Sequence, residues 1–331
     1  MSDSVLDVKN LSVDIPLAEG ILHAVDGIDI HVDKGETLCI VGESGCGKSL
    51  TSLAIMDLLP KKAIRRLERL DLAGASILDY SERQMSDIRG SKMGMIFQEP
   101  MTSLNPAFTV GNQMIETLQG HCYRTGVAAR DIAKGMLEKV GITAADQRLN
   151  QYPHQLSGGL RQRVMIAMTL LCEPELIIAD EPTTALDVTI QAQILLLLQE
   201  LQSEFDMGLI LITHDLGVVA RIATRVAVMY AGQIVEQGTV KQIFDNPMHP
   251  YTRGLMRCIP VPGKTKPGEP LGSIPGMVPS LVGKFTGCRF ADRCNLVNDA
   301  CRKSDIDLRA ESGKTQGYRC IIDAKEMAKV S

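Results

Sequence analysis

The stretch Gly-Glu-Ser-Gly-Cys-Gly-Lys-Ser, at residues 42–49, decides the fold class of this chain. In the pattern G-x-x-x-x-G-K-[ST], the glycines let backbone N–H groups close around phosphate oxygens, the lysine reaches the β- and γ-phosphates, and the final hydroxyl is a ligand for Mg²⁺. The apolar residues 37–41 before it predict a buried strand, and residues 50–59 after it predict a helix. A loop that points a helix N-terminus at phosphates predicts a nucleotide site.

A second glycine motif, Leu-Ser-Gly-Gly-Leu at residues 156–160, opens a predicted helix that runs to about Leu171. Ser157 and the backbone N–H groups of Gly158 and Gly159 would lie at the N-terminus of this helix. Because a helix N-terminus carries partial positive charge and unpaired N–H groups, these residues predict a second anion site.

Two carboxylates end the next apolar segment, which is predicted to be a strand over residues 176–181. Asp180 can hold Mg²⁺ directly or through water, and Glu181 is placed to polarise an attacking water. Phosphoryl transfer depends mainly on positioning and charge stabilisation, so the rigid end of a strand suits these side chains. A further apolar strand, residues 209–213, is followed by His214.

With Gln98 upstream, these motifs stand in an order that resembles the ATP-binding subunit of an ABC (ATP-binding cassette) transporter across residues 5 to about 240. The resemblance implies an α/β fold, the P-loop NTPase cassette, with a RecA-like core and antiparallel β and helical subdomains. It also implies that Glu181, His214 and Gln98 are catalytic and that Ser49, Gln98 and Asp180 serve Mg²⁺. The residues implied to contact ATP are Gly42, Ser44, Gly45, Cys46, Gly47, Lys48, Ser49, Leu50, Leu22, Ser157, Gly158, Gly159 and Asp187.

The resemblance further implies a head-to-tail dimer. In cassette ATPases the Leu-Ser-Gly-Gly motif faces the ATP held by the other subunit, so two ATP molecules lie between two chains. Family members often stack adenine on an aromatic residue before the first inner strand. Here the corresponding residues 21–25 are Ile-Leu-His-Ala-Val, so Leu22 or His23 is predicted to give a weaker platform.

Domain boundaries follow from the same pattern. Residues 1–98 and 156–240 are predicted to form the ATPase core, and residues 99–155, rich in helical periodicity, to form a helical subdomain that leads to the second glycine motif. Prolines within residues 98–106 forbid a continuous helix and predict a hinge. Residues 241–331 are predicted to form a small irregular extension that contains cysteines.

The sequence of this extension narrows the resemblance. The run Asn-Pro-Met-His-Pro-Tyr-Thr at 246–252, a segment rich in Pro and Gly at 259–287, and G-C-x-F-x-x-R-C at 287–294 resemble the C-terminal extension of oligopeptide and dipeptide permease ATPases. Residues 95–106 and 178–187 resemble the D-type subunit. This resemblance implies a bacterial peptide importer with a paralogous F-type ATPase, two transmembrane permease subunits and a periplasmic or extracellular solute-binding protein. It implies a peripheral location on the cytoplasmic face of the inner membrane.

Other functions remain open at this point. Close relatives of the peptide importers carry oligosaccharides, opines or nickel, and the ATPase does not touch the substrate. A soluble cassette ATPase of translation or DNA repair would need a second cassette, a coiled coil or a basic face, and the sequence shows none of these. A regulatory protein would not need an intact Glu181 and His214.

Four of the nine cysteines lie close together in the extension. Four thiolates can bind Zn²⁺ or a [4Fe–4S] cluster, but the spacing C-x₅-C-x₆-C-x₁₈-C lacks the C-x₂-C unit of zinc ribbons. Members of the peptide-permease family carry an iron–sulfur cluster at matching cysteines, so the resemblance favours a cluster over zinc or free thiols. Disulfides are disfavoured for a protein of reducing cytoplasm. The cluster cysteines are Cys288, Cys294, Cys301 and Cys320, and the others, expected to be scattered core or loop residues, are Cys39, Cys46, Cys122, Cys172 and Cys258.

Composition agrees with this reading. The 331 residues suffice for one α/β core and a smaller appendage, no run of 18 apolar residues exists, and no signal peptide is recognisable. A net charge of −4 argues against a nucleic-acid partner.

Overall fold

The computed structural model describes residues 4–98, 103–184, 186–259, 272–310, 315–323 and residue 327. Parts of several predictions lie outside these residues: residues 1–3 of the predicted core, residues 99–102 of the predicted hinge, residue 185 of the stretch that resembles the D-type subunit, and residues 260–271, 311–314, 324–326 and 328–331 of the predicted extension.

Strands and helices follow one another along most of the described chain. The strands are β1 (Ser4–Leu17), β2 (Gly20–Asp33), β3 (Thr37–Val41), β4 (Ile64–Arg66), β5 (Arg69–Leu72), β6 (Ala75–Ser76), β7 (Met93–Ile96), β8 (Leu176–Asp180), β9 (Gly208–Thr213), β10 (Arg225–Tyr230), β11 (Gln233–Thr239), β12 (Arg309–Ala310) and β13 (Gly317–Tyr318). The helices are α1 (Lys48–Ile55), α2 (Glu82–Ile88), α3 (Val110–Cys122), α4 (Gly126–Lys139), α5 (Ala145–Leu149), α6 (Gly158–Leu170), α7 (Val188–Phe205), α8 (Leu216–Ile222), α9 (Val240–Asp245) and α10 (Pro250–Arg257). Short 3₁₀ turns occupy Pro153–Gln155, Ala291–Arg293 and Asp299–Arg302.

The chain divides into two compact units. The first unit comprises Met1–Asp7, His31–Glu36 and Leu70–Ile212, and the second comprises Val8–Ile30, Thr37–Arg69 and Thr213–Ser331.

The first unit contains parallel strands that carry the acidic motif. β7 pairs with β8, with Met93 opposite Leu176. β8 pairs in turn with β9 over Leu176 to Asp180, with Asp180 opposite Ile212. All residues of these strands are buried, as expected for a parallel sheet that is covered on both faces. The carboxyl end of β8 is therefore rigid.

The helical segment of the first unit confirms the predicted helical periodicity. Residues 99–155, for which the sequence predicts helical periodicity, contain α3, α4 and α5. Thr109 caps α3 by accepting a hydrogen bond from the N–H of Asn112 (3.2 Å). Apolar faces of α3, α4, α5 and α6 pack on one another, so these helices share a core.

The second unit places the C-terminal extension on the sheet that contains β3. β3 pairs in parallel with β10, β10 pairs antiparallel with β11, and β11 pairs antiparallel with β13 from Glu236 opposite Tyr318. The extension thus adds β13, and next to it β12, to this sheet. The 3₁₀ turns of the cysteine segment provide little regular structure, in agreement with the predicted irregular extension.

Two sequence-based expectations were wrong. The helix predicted over residues 50–59 ends at Ile55, because Asp57 adopts a left-handed backbone conformation (φ 55°) that cannot continue a helix. The expectation that Cys122 and Cys172 are scattered core or loop residues is wrong as well. A disulfide joins them across 50 residues, with a Cα–Cα distance of 6.1 Å. It connects the end of α3 with the turn between α6 and β8, two sites that only the packing of these helices brings together.

Across the residues that the structure describes, no helix is both long and apolar enough to cross a membrane.

Candidate functional site

The phosphate-binding loop, residues 42–49, is packed so closely that two of its glycines are required. A Cβ on Gly42 would lie 2.1 Å from the carbonyl oxygen of Met229 on β10. Gly47 caps α1 with φ 106°, and a Cβ there would lie 2.5 Å from the carbonyl oxygen of Ala24 on β2. Neither position accepts a side chain without moving backbone. The loop is therefore a cradle pressed onto the backbone of two strands.

Lys48 supplies a buried positive charge to this cradle. Its ammonium Nζ donates to the carbonyl oxygens of Gly42 (2.8 Å) and Glu43 (3.1 Å). The N–H of Thr51 makes a hydrogen bond to the carbonyl oxygen of Gly47 (2.9 Å), as in a regular first helical turn. The N–H groups that precede it at the start of α1 have no partner within the helix. An ammonium and helix-end N–H groups are the donors that phosphate oxygens take. The loop thus fits a nucleotide phosphate.

Glu181 lies in a strained backbone conformation at the end of β8. Its φ of 46° costs a non-glycine residue about 1–2 kcal/mol. The N–H of Glu181 donates to the carbonyl oxygen of Ile212 (3.0 Å), and its Oε2 accepts from Thr184 Oγ1 (2.9 Å). These bonds fix the direction of the carboxylate, and strain of this kind is concentrated at functional sites.

Gln98 is brought to the same place from 83 residues away. Its Nε2 donates to Glu181 Oε2 at 3.3 Å. Asp180, the residue before Glu181, is 5% exposed. The first unit thus collects the predicted glutamine and both predicted carboxylates. Carboxylate and amide oxygens are ligands suited to Mg²⁺, so these residue types fit the predicted cation.

The second glycine motif forms an exposed helix start. Ser157 is the N-cap of α6, and its Oγ accepts from the N–H of Leu160 (3.4 Å). Ser157 and Gly158 are exposed, whereas Leu156 before them is buried. A Cβ on Gly159 would lie 3.1 Å from Ile190 Cγ2, which explains the small residue there. An exposed N-terminus of a long helix is a surface site for an anion.

His214 is exposed in a tight turn after β9. Thr213 Oγ1 accepts from the N–H of Asp215 (3.0 Å), and Asp215 Oδ1 accepts from the N–H of Gly217 (2.8 Å), which caps α8. These bonds hold the backbone on the C-terminal side of the histidine. The contact of the His214 side chain with ATP stays a prediction.

Two predicted ATP contacts have structural roles that the sequence did not indicate. Asp187 is the N-cap of α7, and its Oδ1 accepts from the N–H of Ile190 (3.0 Å). Leu22 forms a bridge with Val282 of the extension. The ring of the neighbouring His23 lies with Nδ1 2.7 Å from Asp14 Oδ1. Contacts of Asp187 and Leu22 with ATP stay predictions.

Sequence reasoning missed the contacts between the C-terminal extension and the phosphate-binding loop. The N–H of Glu43 donates to the hydroxyl of Tyr251 (3.0 Å), and both Nη atoms of Arg293 donate to the Glu43 carboxylate (2.8 and 3.1 Å). The partners are 208 and 250 residues apart in sequence. The sequence indicated only that Tyr251 and Arg293 belong to motifs of the extension, and it did not indicate their contact with Glu43.

A buried carboxylate anchors the start of α10 in the extension. Glu236 on β11 accepts hydrogen bonds from the N–H groups of Met248 (2.7 Å) and His249 (2.8 Å) and from Gln316 Nε2 (2.7 Å). His249 Nδ1 in turn accepts from the N–H of Tyr251 (3.1 Å) and caps the helix. Burial lowers the pKa of His249 to about 3, and the positive charge of the nearby Arg319 acts in the same direction. The imidazole is therefore neutral at physiological pH.

This buried histidine predicts acid destabilisation. As the pH falls below the ordinary histidine pKa of 6.5, the unfolded chain binds a proton that folded His249 refuses until about pH 3. The contribution to stability is complete above pH 6.5 and is lost at about 1.4 kcal/mol per pH unit below it. His249→Asn keeps a capping oxygen without the titration, so urea unfolding of this variant is expected to depend less on pH between 7.5 and 5.5. The exposed His154→Asn serves as the control. Equal pH dependence of His249→Asn and the parent protein would contradict the assignment.

The four cysteines of the extension lie in one neighbourhood as free thiols. Burial raises the pKa of the Cys288 thiol to about 11, and the other three thiols add to this increase. The N–H of Cys288 also donates to the carbonyl oxygen of Cys301 (2.7 Å). Among the described residues, however, no group of three or more His, Cys, Asp or Glu side chains is arranged to hold a metal ion. The thiol positions therefore do not, as they stand, form a ligand set.

The phosphate-binding loop, the acidic strand end and the capped Ser-Gly-Gly helix define a P-loop ATPase of the cassette class. Comparison with known proteins agrees. Residues 25–184 match the ABC transporter family, and residues 235–301 match the C-terminal region of the oligopeptide/dipeptide transporter family. The dimeric ATP-binding cassette MJ0796, solved in a post-hydrolysis state bound to ADP and Pi, has a TM-score of 0.62 and 27% identity. The match covers 71% of this chain and 98% of that one.

Relatives across the whole length narrow the family. A putative peptide import ATP-binding protein of Brucella melitensis is 50% identical over 327 residues, 96% of both chains. The dipeptide transport ATP-binding protein DppD of Bacillus subtilis is 52% identical over 293 residues, 88% of this chain and 87% of DppD. The chain therefore belongs to the ATP-binding subunits of ABC transporters, ATPases coupled to transport, and carries the C-terminal region of the oligopeptide and dipeptide branch.

Proposed function

We propose that this chain is the ATP-hydrolysing subunit of a bacterial ABC importer for di- and oligopeptides. The observation that carries the peptide class is the match of residues 235–301 to the oligopeptide/dipeptide transporter C-terminal region. In this role the chain drives import through two transmembrane permease subunits. It is peripheral on the cytoplasmic face of the inner membrane, and a solute-binding protein delivers the peptide from the other side.

Reconstitution tests the substrate class. The subunit is to be purified with the membrane proteins and the binding protein encoded beside it, and ATP hydrolysis measured in proteoliposomes. Loaded binding protein is expected to stimulate hydrolysis when the ligand is a di- or oligopeptide. Stimulation only by an oligosaccharide, an opine or nickel would move the importer to another branch. No stimulation by any loaded binding protein would favour a cassette ATPase outside transport.

The phosphate-binding loop is proposed to bind the triphosphate of ATP. Its N–H groups and the Lys48 ammonium take the β- and γ-phosphates, because these donors belong to one loop in which the Lys48 side chain is buried. Ser49, Gln98 and Asp180 are the proposed oxygen ligands of Mg²⁺. The cation, when bound, neutralises charge that develops on the phosphates.

Glu181 is the proposed base for the attacking water. Its fixed carboxylate is supported by the bonds from Gln98 and Thr184, and a positioned base suits a reaction that depends on orientation. His214 is proposed to contact the γ-phosphate from its turn after β9. Because the Gln98 side chain contacts Glu181, movement of the residues that follow Gln98 would displace the Glu181 carboxylate.

The exposed Ser-Gly-Gly helix start is proposed to bind the ATP of a partner chain, a paralogous F-type ATPase.

Ser157→Ala is expected to slow hydrolysis of ATP held by the partner by at least about fivefold, since it removes a hydroxyl from the anion site and a helix cap worth about 1 kcal/mol. Mixed dimers with one altered chain locate the damaged site. Thr109→Ala, which removes a cap of the same kind from α3, is the matched control. Loss confined to ATP held by the altered chain would contradict the head-to-tail arrangement.

We further propose that Cys288, Cys294, Cys301 and Cys320 bind a [4Fe–4S] cluster of structural role, with Zn²⁺ as the alternative. Their shared neighbourhood supports the proposal, while their present side-chain positions do not form the site, so binding requires the Sγ atoms to converge. Since burial raises the pKa of the Cys288 thiol to about 11, metal binding must release protons.

Anaerobic purification tests the cluster. A brown protein that absorbs near 400 nm, with about four iron atoms per chain, is the expected result. Bound zinc without iron would assign a structural zinc site. If neither metal is bound and the four thiols are free and reactive, the cysteines are ordinary packing residues. Cys258→Ser, outside the group of four, is the control and should not change the metal content.

A further inference from the structure

We propose that Arg293 of the C-terminal extension is a positioning residue for ATP binding, and that it acts through Glu43 of the phosphate-binding loop. Glu43 is the second residue of the loop, and its carboxylate receives two hydrogen bonds from the Arg293 guanidinium, at 2.8 and 3.1 Å. The Arg293 side chain is 5% exposed and that of Glu43 28% exposed. A two-point, largely buried pair of this kind has a defined geometry and is not a solvated surface contact.

The guanidinium itself is held in place by the extension. Its Nε donates to the carbonyl oxygen of Pro275 (3.0 Å) and its Nη2 to that of Ile274 (3.1 Å). The Arg293 guanidinium carbon also lies 5.7 Å from the ring centre of Tyr230 and 5.9 Å from that of Phe290, within the range of cation–π attraction. Through Arg293, the position of the Glu43 carboxylate therefore depends on the fold of the extension.

Tyr251 holds the backbone of the same loop residue. It is fully buried, and its hydroxyl accepts the N–H of Glu43 at 3.0 Å. Its ring packs against Tyr230, with ring centres 4.5 Å apart, and against Phe290 at 5.5 Å. The extension thus fixes both the side chain and the N–H of Glu43. Because Lys48 bonds to the Glu43 carbonyl oxygen (3.1 Å), the orientation of Glu43 also reaches the phosphate-binding lysine.

Charge gives the pair a direct effect on nucleotide affinity. A carboxylate in a loop that binds a polyanion repels the ligand, and partly buried charges are screened weakly. Arg293 neutralises that carboxylate. The pair explains how this loop carries an acidic residue and still receives a triphosphate.

The position of Arg293 in the chain connects the cysteine segment with the loop. Arg293 ends the 3₁₀ turn Ala291–Arg293, between Cys288 and Cys294. The N–H of Arg293 donates to the carbonyl oxygen of Phe290 (3.0 Å). A change in the folding of this turn would move the guanidinium, and with it the carboxylate of Glu43. The extension thereby sets the ATP affinity of its own chain.

A double-variant cycle on the full-length chain tests the proposal. ATP affinity is measured by equilibrium titration for the parent protein, Arg293→Gln, Glu43→Gln and the double variant. Arg293→Gln is expected to bind ATP about tenfold more weakly, since it leaves an uncompensated carboxylate at the loop. When Glu43 is already Gln, the same Arg293 change is expected to alter affinity by less than about twofold, because no charge remains to be neutralised. Arg293→Lys keeps the charge without the two-point geometry and should rescue part of the affinity.

Arg302→Gln is the matched control, since Arg302 lies in the same segment and pairs with Asp292 (2.7 Å) on the surface. It should leave ATP affinity unchanged. Equal losses from the Arg293 change with and without Glu43 would overturn the proposal, as would parent-like affinity of Arg293→Gln. If Arg293→Gln does not fold, as judged by circular dichroism, Tyr251→Phe decides. It removes only the hydroxyl that accepts the Glu43 N–H, and it is expected to weaken ATP binding about threefold. Unchanged affinity in that variant would refute the link between the extension and the loop.

Discussion

Glu181→Gln is expected to bind ATP normally and to hydrolyse it about 10²- to 10⁴-fold more slowly, the usual contribution of a positioned general base. Glutamine has the shape of glutamate and can keep the contact with Thr184 Oγ1, but it cannot accept a proton from water. The strained φ of 46° at this position is the same for both residues, so the fold should not change. The trapped ATP should also stabilise the dimer in which two nucleotides are bound.

Steady-state phosphate release by the reconstituted complex measures the loss of turnover, and nucleotide titration measures the retained affinity. Glu173→Gln is a matched control, because Glu173 has a similar φ of 50° and lies in the turn before the same strand. Turnover of Glu181→Gln within a few fold of the parent value would refute its assignment as the base.

Lys48→Ala is expected to fail earlier, at ATP binding. The buried ammonium donates to two loop carbonyls and would exchange these for phosphate oxygens in the complex. Charge-assisted hydrogen bonds contribute about 1.5–3 kcal/mol, so affinity should fall roughly 10- to 100-fold. The rise of the thermal midpoint with added ATP gives a second measurement.

Lys34→Ala removes a lysine that forms a surface ion pair with Asp206 (3.2 Å) and serves as the control. Its affinity for ATP should equal that of the parent protein. If Lys48→Ala binds ATP with parent affinity, the lysine does not contact the phosphates. Glu181→Gln and Lys48→Ala together separate two functions. Glu181→Gln should block hydrolysis with ATP bound, whereas Lys48→Ala should weaken ATP binding itself.

The local parts of the fold and of the site could be predicted from sequence. β3, the loop after it, α6 with its Ser157 cap, and β8 ending at Asp180 are where the sequence predicts them. Each is specified by residues adjacent in the chain: glycines where a backbone approaches closely, an N-cap before a helix, and apolar runs for buried strands. The family assignment needs no more than these motifs in their order.

Prediction from sequence is incomplete where one residue can have two roles. Asp187 was predicted to contact ATP, and the structure shows it as the cap of α7. An aspartate before a helix satisfies both descriptions, since the same carboxylate can accept backbone N–H groups. The end of α1 at Ile55 was missed for a related reason, because the apolar periodicity continues past a residue that adopts a left-handed conformation.

The sequence by itself determined the class of this protein, its nucleotide-binding motifs and the identity of its unusual C-terminal extension. Only the tertiary structure decided what the extension touches. Glu43 meets Tyr251 and Arg293 across 208 and 250 residues, and Cys122 meets Cys172 across 50. Such pairs leave no local pattern, because they depend on how strands and helices pack. A motif can be read from a few neighbouring residues, whereas a contact between motifs exists only once the chain has folded.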